Sequence, residues 1–379
     1  MADQKRLPSY IYLPPDAVQR QAKLTADGLY DLLPDEILWR DRYNVLQRKG
    51  YQLRPRYHPQ WTPSWTGTNL DPEFCEDFVV SNVSSAVQTL RMYAANSALQ
   101  NPDVLDAVRV SDGSLVAMKT VKTGSQELQI SQFLSSLHHP SNHCVPIVDV
   151  LEDPLSPSMS IMVMKYLRPW NDPEFTMVGD VIDFVVQMLE HGSSDIASPN
   201  VMMDGQVLYP RGHHPVWRNR SPDAIEDLVP LARIDHPVRY FFVDFGLSVR
   251  SRPGQSNLVV GDVGRDAEVP ELSSTVPYDA FKADIYALGN FFDKELFEKY
   301  HRLEFLTALT KPMKQRQPAL RPTANDLVAS FERIRKSLDP SEFRWRLAPK
   351  SEPTYERFFN DTVAVAKNGL SHLRRFVQP

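Results

Sequence analysis

The chain has 379 residues, 42% apolar and 23% charged, with a net charge of −5. That apolar content can bury a sizeable core and excludes wholesale disorder, and a mildly acidic balance argues against nucleic acid as the main partner, because phosphate binding needs a basic face. Two cysteines, Cys75 and Cys144, exclude a disulfide framework and a four-cysteine zinc site. No apolar run approaches the roughly 20 residues that span a bilayer, and the N-terminus lacks an apolar signal region. The expectation is an intracellular protein, cytoplasmic or nuclear, with no membrane partner.

Residues 1–75 are rich in proline and aromatics and read as an extension that packs on a main domain. Within them, Pro34 followed by Asp35 and Glu36 marks a helix start, with carboxylates in the first turn. The stretch 54–65 reads as an extended arm, since Pro55, Pro59 and Pro63 each restrict the residue before them. Its tryptophans are read as a clamp onto the main domain, given how much area large aromatics bury; a partner-binding strip is the alternative. Residues 104–110 and 115–121 form a predicted hairpin through Asp112-Gly113. Residues 125–137 have helical spacing, with Leu128, Phe133, Leu134 and Leu137 apolar. Two strands, 145–151 and 160–167, follow. Beyond about residue 180 the period becomes helical, first at Val181, Ile182, Val185 and Leu189, then over 278–300, 301–311, 323–338 and 355–377. A strand-rich front and a helix-rich back predict an α+β chain in two lobes.

Four short signals then occur in one order. Val116-Ala-Met-Lys119 lies on the second hairpin strand. Asp195 precedes Asn200 and the apolar Val201-Met-Met. Phe241-Phe-Val-Asp244-Phe-Gly246 places an acid at the end of an apolar strand. Val269-Pro-Glu271 is followed by Asp284-Ile-Tyr-Ala-Leu-Gly289 and then by Arg321-Pro-Thr-Ala. In this order, over roughly residues 95–338, the chain resembles the eukaryotic protein kinase family. The stretches Trp39-Arg-Asp-Arg, Gly50-Tyr-Gln-Leu-Arg-Pro-Arg-Tyr and Asn142-His-Cys-Val-Pro-Ile147 look like those of kinase-like domains in basidiomycete fungi.

The resemblance implies a two-lobed fold, with an N-lobe over 76–167, a C-lobe over 168–338 and a C-terminal helical extension over 339–379. It implies ATP and Mg²⁺ as cofactors and a protein substrate or partner. Lys119 would supply a cation for the phosphates, and Gln129 occupies the register of the family's helix glutamate. Asn200 and Asp244 would ligate Mg²⁺, and Asp195 would orient the proton of a substrate hydroxyl. Met164 would lie behind the adenine, with Lys165, Tyr166 and Leu167 as the hinge beside it. Glu271 and Arg321 would form an ion pair, and Asp284 would anchor the catalytic loop.

Several features depart from the family pattern. No glycine lies between Gly67 and Gly113, so the expected phosphate loop, 96–103, has lost the residues that let backbone N–H groups approach phosphate; Asp103 would repel ATP. Glu127, two positions before Gln129, is about 200° around the helix. Ser193-Ser194 replaces the family's His-Arg, and Ala197 replaces a common lysine. No phosphorylation switch is expected, despite Ser248, Ser251 and Ser256. The helix before Asp195 reads as only about 16 Å long at 1.5 Å per residue, ended by Gly192. The long connection from Asn200 to Asp244 contains an insertion at about 205–238, read as a surface docking loop in which His213-His214 is solvated. The cluster His138, His139, His143 and Cys144 lacks zinc-ligand spacing. The last helix, with Phe358, Val365, Leu370 and Leu373 and then Arg374-Arg375, reads as a packing or partner helix. The leading expectation is a protein kinase of reduced activity acting on serine or threonine hydroxyls. The alternative is a pseudokinase serving as a binding or scaffold module.

Overall fold

A computed structural model describes residues 7–75, 77, 103–190, 198–249, 256–264 and 266–364. Helices and antiparallel sheets are mixed along the chain, which makes it α+β as expected. It divides into two compact units. The first comprises Met1–Ser125, Pro146–Tyr166 and Tyr209–Pro230; the second comprises Gln126–Val145, Leu167–Leu208 and Leu231–Pro379. The grouping departs from the expected lobes at two places: 126–145 belongs to the second unit, and 209–230 belongs to the first.

The first unit is built on a five-stranded antiparallel sheet. Its strands are β1 (Tyr51–Gln52), β2 (Val104–Arg109), β3 (Ser114–Lys122), β4 (Ile147–Glu152) and β5 (Met159–Lys165), in the order β1-β2-β3-β5-β4. Gly113, at φ 70°, makes the tight turn between β2 and β3 that the Asp-Gly pair predicts. Alternation along β3 buries Val116, Met118 and Thr120. With Leu105, Ala107, Leu151, Ile161 and Val163, these apolar residues form one core with side chains from the N-terminal extension. Helix α1 spans Pro15–Ala26 and α2 spans Pro34–Arg48. Trp39, Tyr43 and Leu46 recur at helical spacing on α2 and are buried in that core with Tyr51, Leu53 and Tyr57.

Three buried ion pairs tie the extension together and to the sheet. Glu36 receives a fork from Arg56, at 2.7 and 2.8 Å, and also accepts the Leu33 N–H at 3.0 Å. Arg42 donates to both carboxylate oxygens of Asp153, at 2.9 and 2.7 Å, and Arg54 lies 3.0 Å from Asp106 on β2. The stretch after residue 54 is therefore not an extended arm. Pro55–Tyr57 is a 3₁₀ turn, and Arg56 and Tyr57 are wholly buried, because Pro55, its φ fixed by the ring, starts a turn that drops the next two side chains inward.

A second core joins Trp65, Cys75, Trp217 and Ala224, with Tyr30, Trp61 and Leu70 against it. The insertion is thus no solvated loop. His213 is 7% exposed and His214 0%, and the His214 ring accepts the backbone N–H groups of Val216 and Trp217 at 3.2 and 3.0 Å. Ring contacts of His213 with Tyr166 and Tyr209, and the backbone hydrogen bonds to His214, offset the polarity of the two imidazoles.

The second unit contains α3 (Gln126–Ser135), β6 (Arg168–Pro169), α4 (Val178–Glu190), β7 (Val201–Met203) and β8 (Tyr240–Phe242). A two-stranded ribbon of β9 (Leu258–Gly261) and β10 (Ser273–Asp279) leads into α5 (Ala280–Phe292), α6 (Thr307–Met313) and α7 (Ala324–Ser337). Residues 354–364 are also helical. Helix α4 is described over Val178–Glu190, starting two residues before the expected position, and most of its residues are buried. On α3 the buried face is Leu128, Ile130 and Ser131, whereas Phe133 and Leu137 are exposed, contrary to expectation. Among the described residues no helix is long and apolar enough to cross a membrane.

Burial alone would raise the Glu36 carboxyl, but the Arg56 hydrogen bonds and charge, the Leu33 N–H and the Arg54 charge hold it below the usual range. A depressed carboxyl contributes stability above its unfolded pKa, about 4.3, and loses it as pH falls through the folded value. Arg56→Ala should cost about 3–5 kcal/mol at neutral pH by leaving Glu36 buried and unpaired. Urea titrations between pH 7 and pH 3 should show this deficit shrinking on acidification.

Candidate functional site

Strands β6, β7 and β8 form an antiparallel sheet with Val201 opposite Phe242, Met202 opposite Phe241 and Met203 opposite Tyr240. The register continues one residue further, where the Val243 N–H donates to the Asn200 carbonyl at 2.9 Å. Asn200 and Asp244 consequently leave neighbouring strands at the same end. Asn200 closes a 3₁₀ turn, Ser198–Asn200, and is 3% exposed.

Asp244 is one of three non-glycine residues given a positive φ among those described, at 66°. An L-residue pays for the left-handed conformation, and aspartate tolerates it through local hydrogen bonding. Here the Gly246 N–H donates to Asp244 Oδ1 at 3.3 Å. Phe245 turns inward and is 2% exposed.

Helix α3 approaches this turn. Gln126 Nε2 donates to the Ser248 carbonyl at 3.2 Å. A methyl placed on Gly246 would stand 3.2 Å from Asp244 Oδ1 and 3.8 Å from Glu127 Oε2. Glu127 is therefore half-buried beside the Asp-Phe-Gly turn, and Gln129 is exposed. Gln129, expected in the register of the family's helix glutamate, is thus turned to solvent, and Glu127 is the α3 carboxylate found beside Gly246. The buried face of α3 at Leu128, Ile130 and Ser131 leaves Gln129 exposed.

The other predicted residues are placed as follows. Lys119 is half-buried on β3, paired with Val104 and Met162 in the first unit. Met164 is buried on β5 opposite Ala117 and Ile147. The Lys165 N–H donates to the Pro146 carbonyl at 3.2 Å and the Tyr166 N–H to the Leu115 carbonyl at 3.4 Å. The chain passes from the first unit to the second between Tyr166 and Leu167, the segment expected to be a hinge. Asp103 accepts the Thr120 hydroxyl at 2.9 Å. Asp195, Gly192, Ser193, Ser194, Ala197, Ser251 and the stretch 96–102 lie outside the described residues, as do Val365, Leu370, Leu373, Arg374 and Arg375.

Glu271 and Arg321 form an ion pair. Arg321 Nη2 is 2.8 Å from Glu271 Oε2, and Nη1 reaches Oε1 and, at 2.6 Å, the Lys282 carbonyl. The Arg321 guanidinium is wholly buried, bonded to the Gln315 carbonyl at 2.8 Å and lying 4.7 Å above the Tyr286 ring. Asp284, half-buried on α5, lines a cavity of about 260 Å³ with Val259, Val269, Leu272, Tyr278 and Ala283.

One contact near the site was missed from the sequence. His143 is 3% exposed, its Nδ1 2.8 Å from the Tyr240 carbonyl and its Nε2 3.4 Å from Glu190. The Phe242 N–H donates to the His143 carbonyl at 2.6 Å. Nothing in the local sequence marks a histidine as a strand-edge bracket. Burial pushes the neighbouring Cys144 thiol up to about 12, so it stays protonated and unreactive at neutral pH. Among the described residues no group of three or more His, Cys, Asp or Glu side chains is gathered to hold a metal ion. No protein-family model matches the sequence, and no curated protein matches it.

Left-handed backbone at residue 244 generates a test. Asp244→Gly should raise stability or leave it unchanged within about 1 kcal/mol, because glycine accepts this φ without strain. Asp244→Ala should lower it by about 1 kcal/mol, having lost the local hydrogen bond while keeping a Cβ. Thermal unfolding of both variants checks the order; alanine unfolding at or above glycine would contradict the strained turn.

Proposed function

We propose that the chain is a two-lobed protein-kinase-like protein that binds Mg-ATP and transfers a phosphoryl group to serine or threonine hydroxyls at a reduced rate. The observation that carries this reading is the departure of Asn200 and Asp244 from the same end of paired strands. An amide oxygen and a carboxylate are hard donors of the kind Mg²⁺ takes, whereas thiolate and imidazole are absent from this pair. Glu127, which like Asp244 lies beside Gly246, adds a second carboxylate and makes the turn favourable for a cation. Magnesium, when bound, supplies neutralisation of the charge that develops on the transferred phosphate.

The roles of Lys119 toward the phosphates, of Asp195 toward the hydroxyl proton, and of Met164 to Leu167 toward the adenine belong to the same proposal. They rest on the order of the motifs. The Glu271–Arg321 pair supports it as a structural fastening below the β9–β10 ribbon: a buried pair of this kind fixes geometry more than it adds stability. The loss of glycine from 96–103 and the Ser193-Ser194 pair favour the second reading, a pseudokinase that serves as a binding module. An apolar cavity beside α5, edged by exposed Val260, Val263 and Phe281, offers such a module a surface.

Mg-ATP at ten times its dissociation constant should stabilise the wild type by about 1.4 kcal/mol, read as a rise in melting temperature. Asp244→Ala should abolish the rise, Glu127→Gln should weaken it, and Gln129→Ala should leave it intact. No rise at millimolar Mg-ATP would remove nucleotide binding. A rise without transfer of labelled phosphate to any serine- or threonine-containing peptide pool would select the pseudokinase.

A further inference from the structure

The segment 209–230 reaches the strand end expected to form the hinge. Tyr166 Oη donates to the Pro215 carbonyl at 2.7 Å. The Tyr166 ring stands 5.7 Å from that of buried His213, which in turn stands 5.4 Å from that of Tyr209. His214 organises the loop by accepting the Val216 and Trp217 N–H groups, and its own N–H donates to the Arg220 carbonyl at 2.9 Å.

The far side of the same loop is fastened to the N-terminal extension. Arg220 donates to the Glu73 carbonyl at 2.7 Å, and its guanidinium lies 4.7 Å above Phe74 and 5.6 Å above Trp217. Tyr10 Oη donates to the Ile225 carbonyl at 3.1 Å. Trp217 and Ala224 are buried in one cluster with Trp65 and Cys75. Residues from three distant parts of the chain thus form a continuous packed path that ends on the Tyr166 side chain.

We propose that residues 209–230, anchored on residues 7–75, form a brace that holds the Tyr166 strand end in place and so sets affinity for the base of a bound nucleotide. Tyr166 acts here as a positioning residue. A hydroxyl bound to a rigid carbonyl restricts the backbone at 164–166, where main-chain groups would meet an adenine edge. Ordering that segment before a ligand arrives removes an entropic cost from binding. The phosphates would be held elsewhere, so the brace affects base recognition and leaves phosphate affinity unchanged. The ligand part of this inference rests on the nucleotide reading above; the brace itself does not.

The test compares the full-length wild type with Tyr166→Phe, which deletes one hydroxyl from a half-buried ring. Hydrogen–deuterium exchange without ligand reads the brace, and titration with Mg-ATP and with Mg-tripolyphosphate reads the site. Exchange should rise about fivefold at residues 164–166 and 214–217, in keeping with the loss of one hydrogen bond. Mg-ATP should weaken about fivefold while tripolyphosphate is unchanged. Arg220→Gln, which cuts the tie to Glu73, should raise exchange over the same residues and serves if Tyr166→Phe fails to fold. Unchanged exchange in both variants would overturn the brace. Raised exchange with equal ATP affinity would overturn its link to the base. Raised exchange in the variants, with a wild type that binds neither ligand, would uphold the brace and remove the nucleotide reading instead.

Discussion

Antiparallel pairing of residues 201–203 with 240–242 is the constraint on which the site depends. Side chains alternate along a strand, so a slip of one residue would reverse which side chains of β7 and β8 are buried and shift Asn200 relative to Asp244. The register is held from several directions. Val201 and Met203 are wholly buried, as are Tyr240 and Phe242. On the other edge of β8, the His143 carbonyl accepts from Phe242 and the Phe242 carbonyl accepts the Val145 N–H at 3.0 Å. Gln187 on α4 accepts the Tyr240 N–H at 3.0 Å, and Arg233 donates to the Tyr240 hydroxyl at 2.8 Å. These hydrogen bonds engage backbone groups on both edges of β8 and so oppose a shift of register.

The first unit is organised by its N-terminal extension. Strands β2 to β5 have an apolar face, and Trp39, Tyr43, Leu46 and Tyr57 cover it. Each of the three buried arginines in this cover meets a carboxylate, which offsets the cost of removing the charges from water. The result is geometric as much as energetic. A forked Arg–carboxylate contact has one good orientation, so α2, the 3₁₀ turn after it and the sheet are locked in relative position. The same extension carries the aromatics that bury the insertion, and in this way material outside the motif-bearing region shapes the strand end at Tyr166.

Much of the local structure was legible because its signals are short-range. The Asp112-Gly113 hairpin, the start of α2 at Pro34 and the apolar run of α4 each depend on neighbours within a few residues. The Glu271–Arg321 pair was legible from motif order, although the carbonyls of Lys282 and Gln315 that complete the arginine's bonding were not. Errors arose where distant packing decided the outcome. The family register pointed to Gln129 and away from Glu127, whereas the surface that covers Leu128 and Ile130 leaves Gln129 exposed and Glu127 beside Gly246. His213 and His214 look like solvated loop residues, yet the rings of Tyr166 and Tyr209 stand against His213, and the Val216 and Trp217 N–H groups donate to His214. The prolines at 55, 59 and 63 predicted an extended chain, yet the same restriction on φ starts turns equally well.

Alone, the sequence determined which residue types could act and in what order: a lysine on a strand, an asparagine and an aspartate beside apolar strands, and a late arginine for a glutamate. It also determined the α+β class, because hydrophobic period is a property of neighbouring positions. Only the tertiary structure decided that Asn200 and Asp244 share a strand end, that Glu127 faces the Asp-Phe-Gly turn, and that the insertion folds with the N-terminal extension. These outcomes depend on strand register and on which face a distant segment covers, and neither is encoded in any short window of the chain.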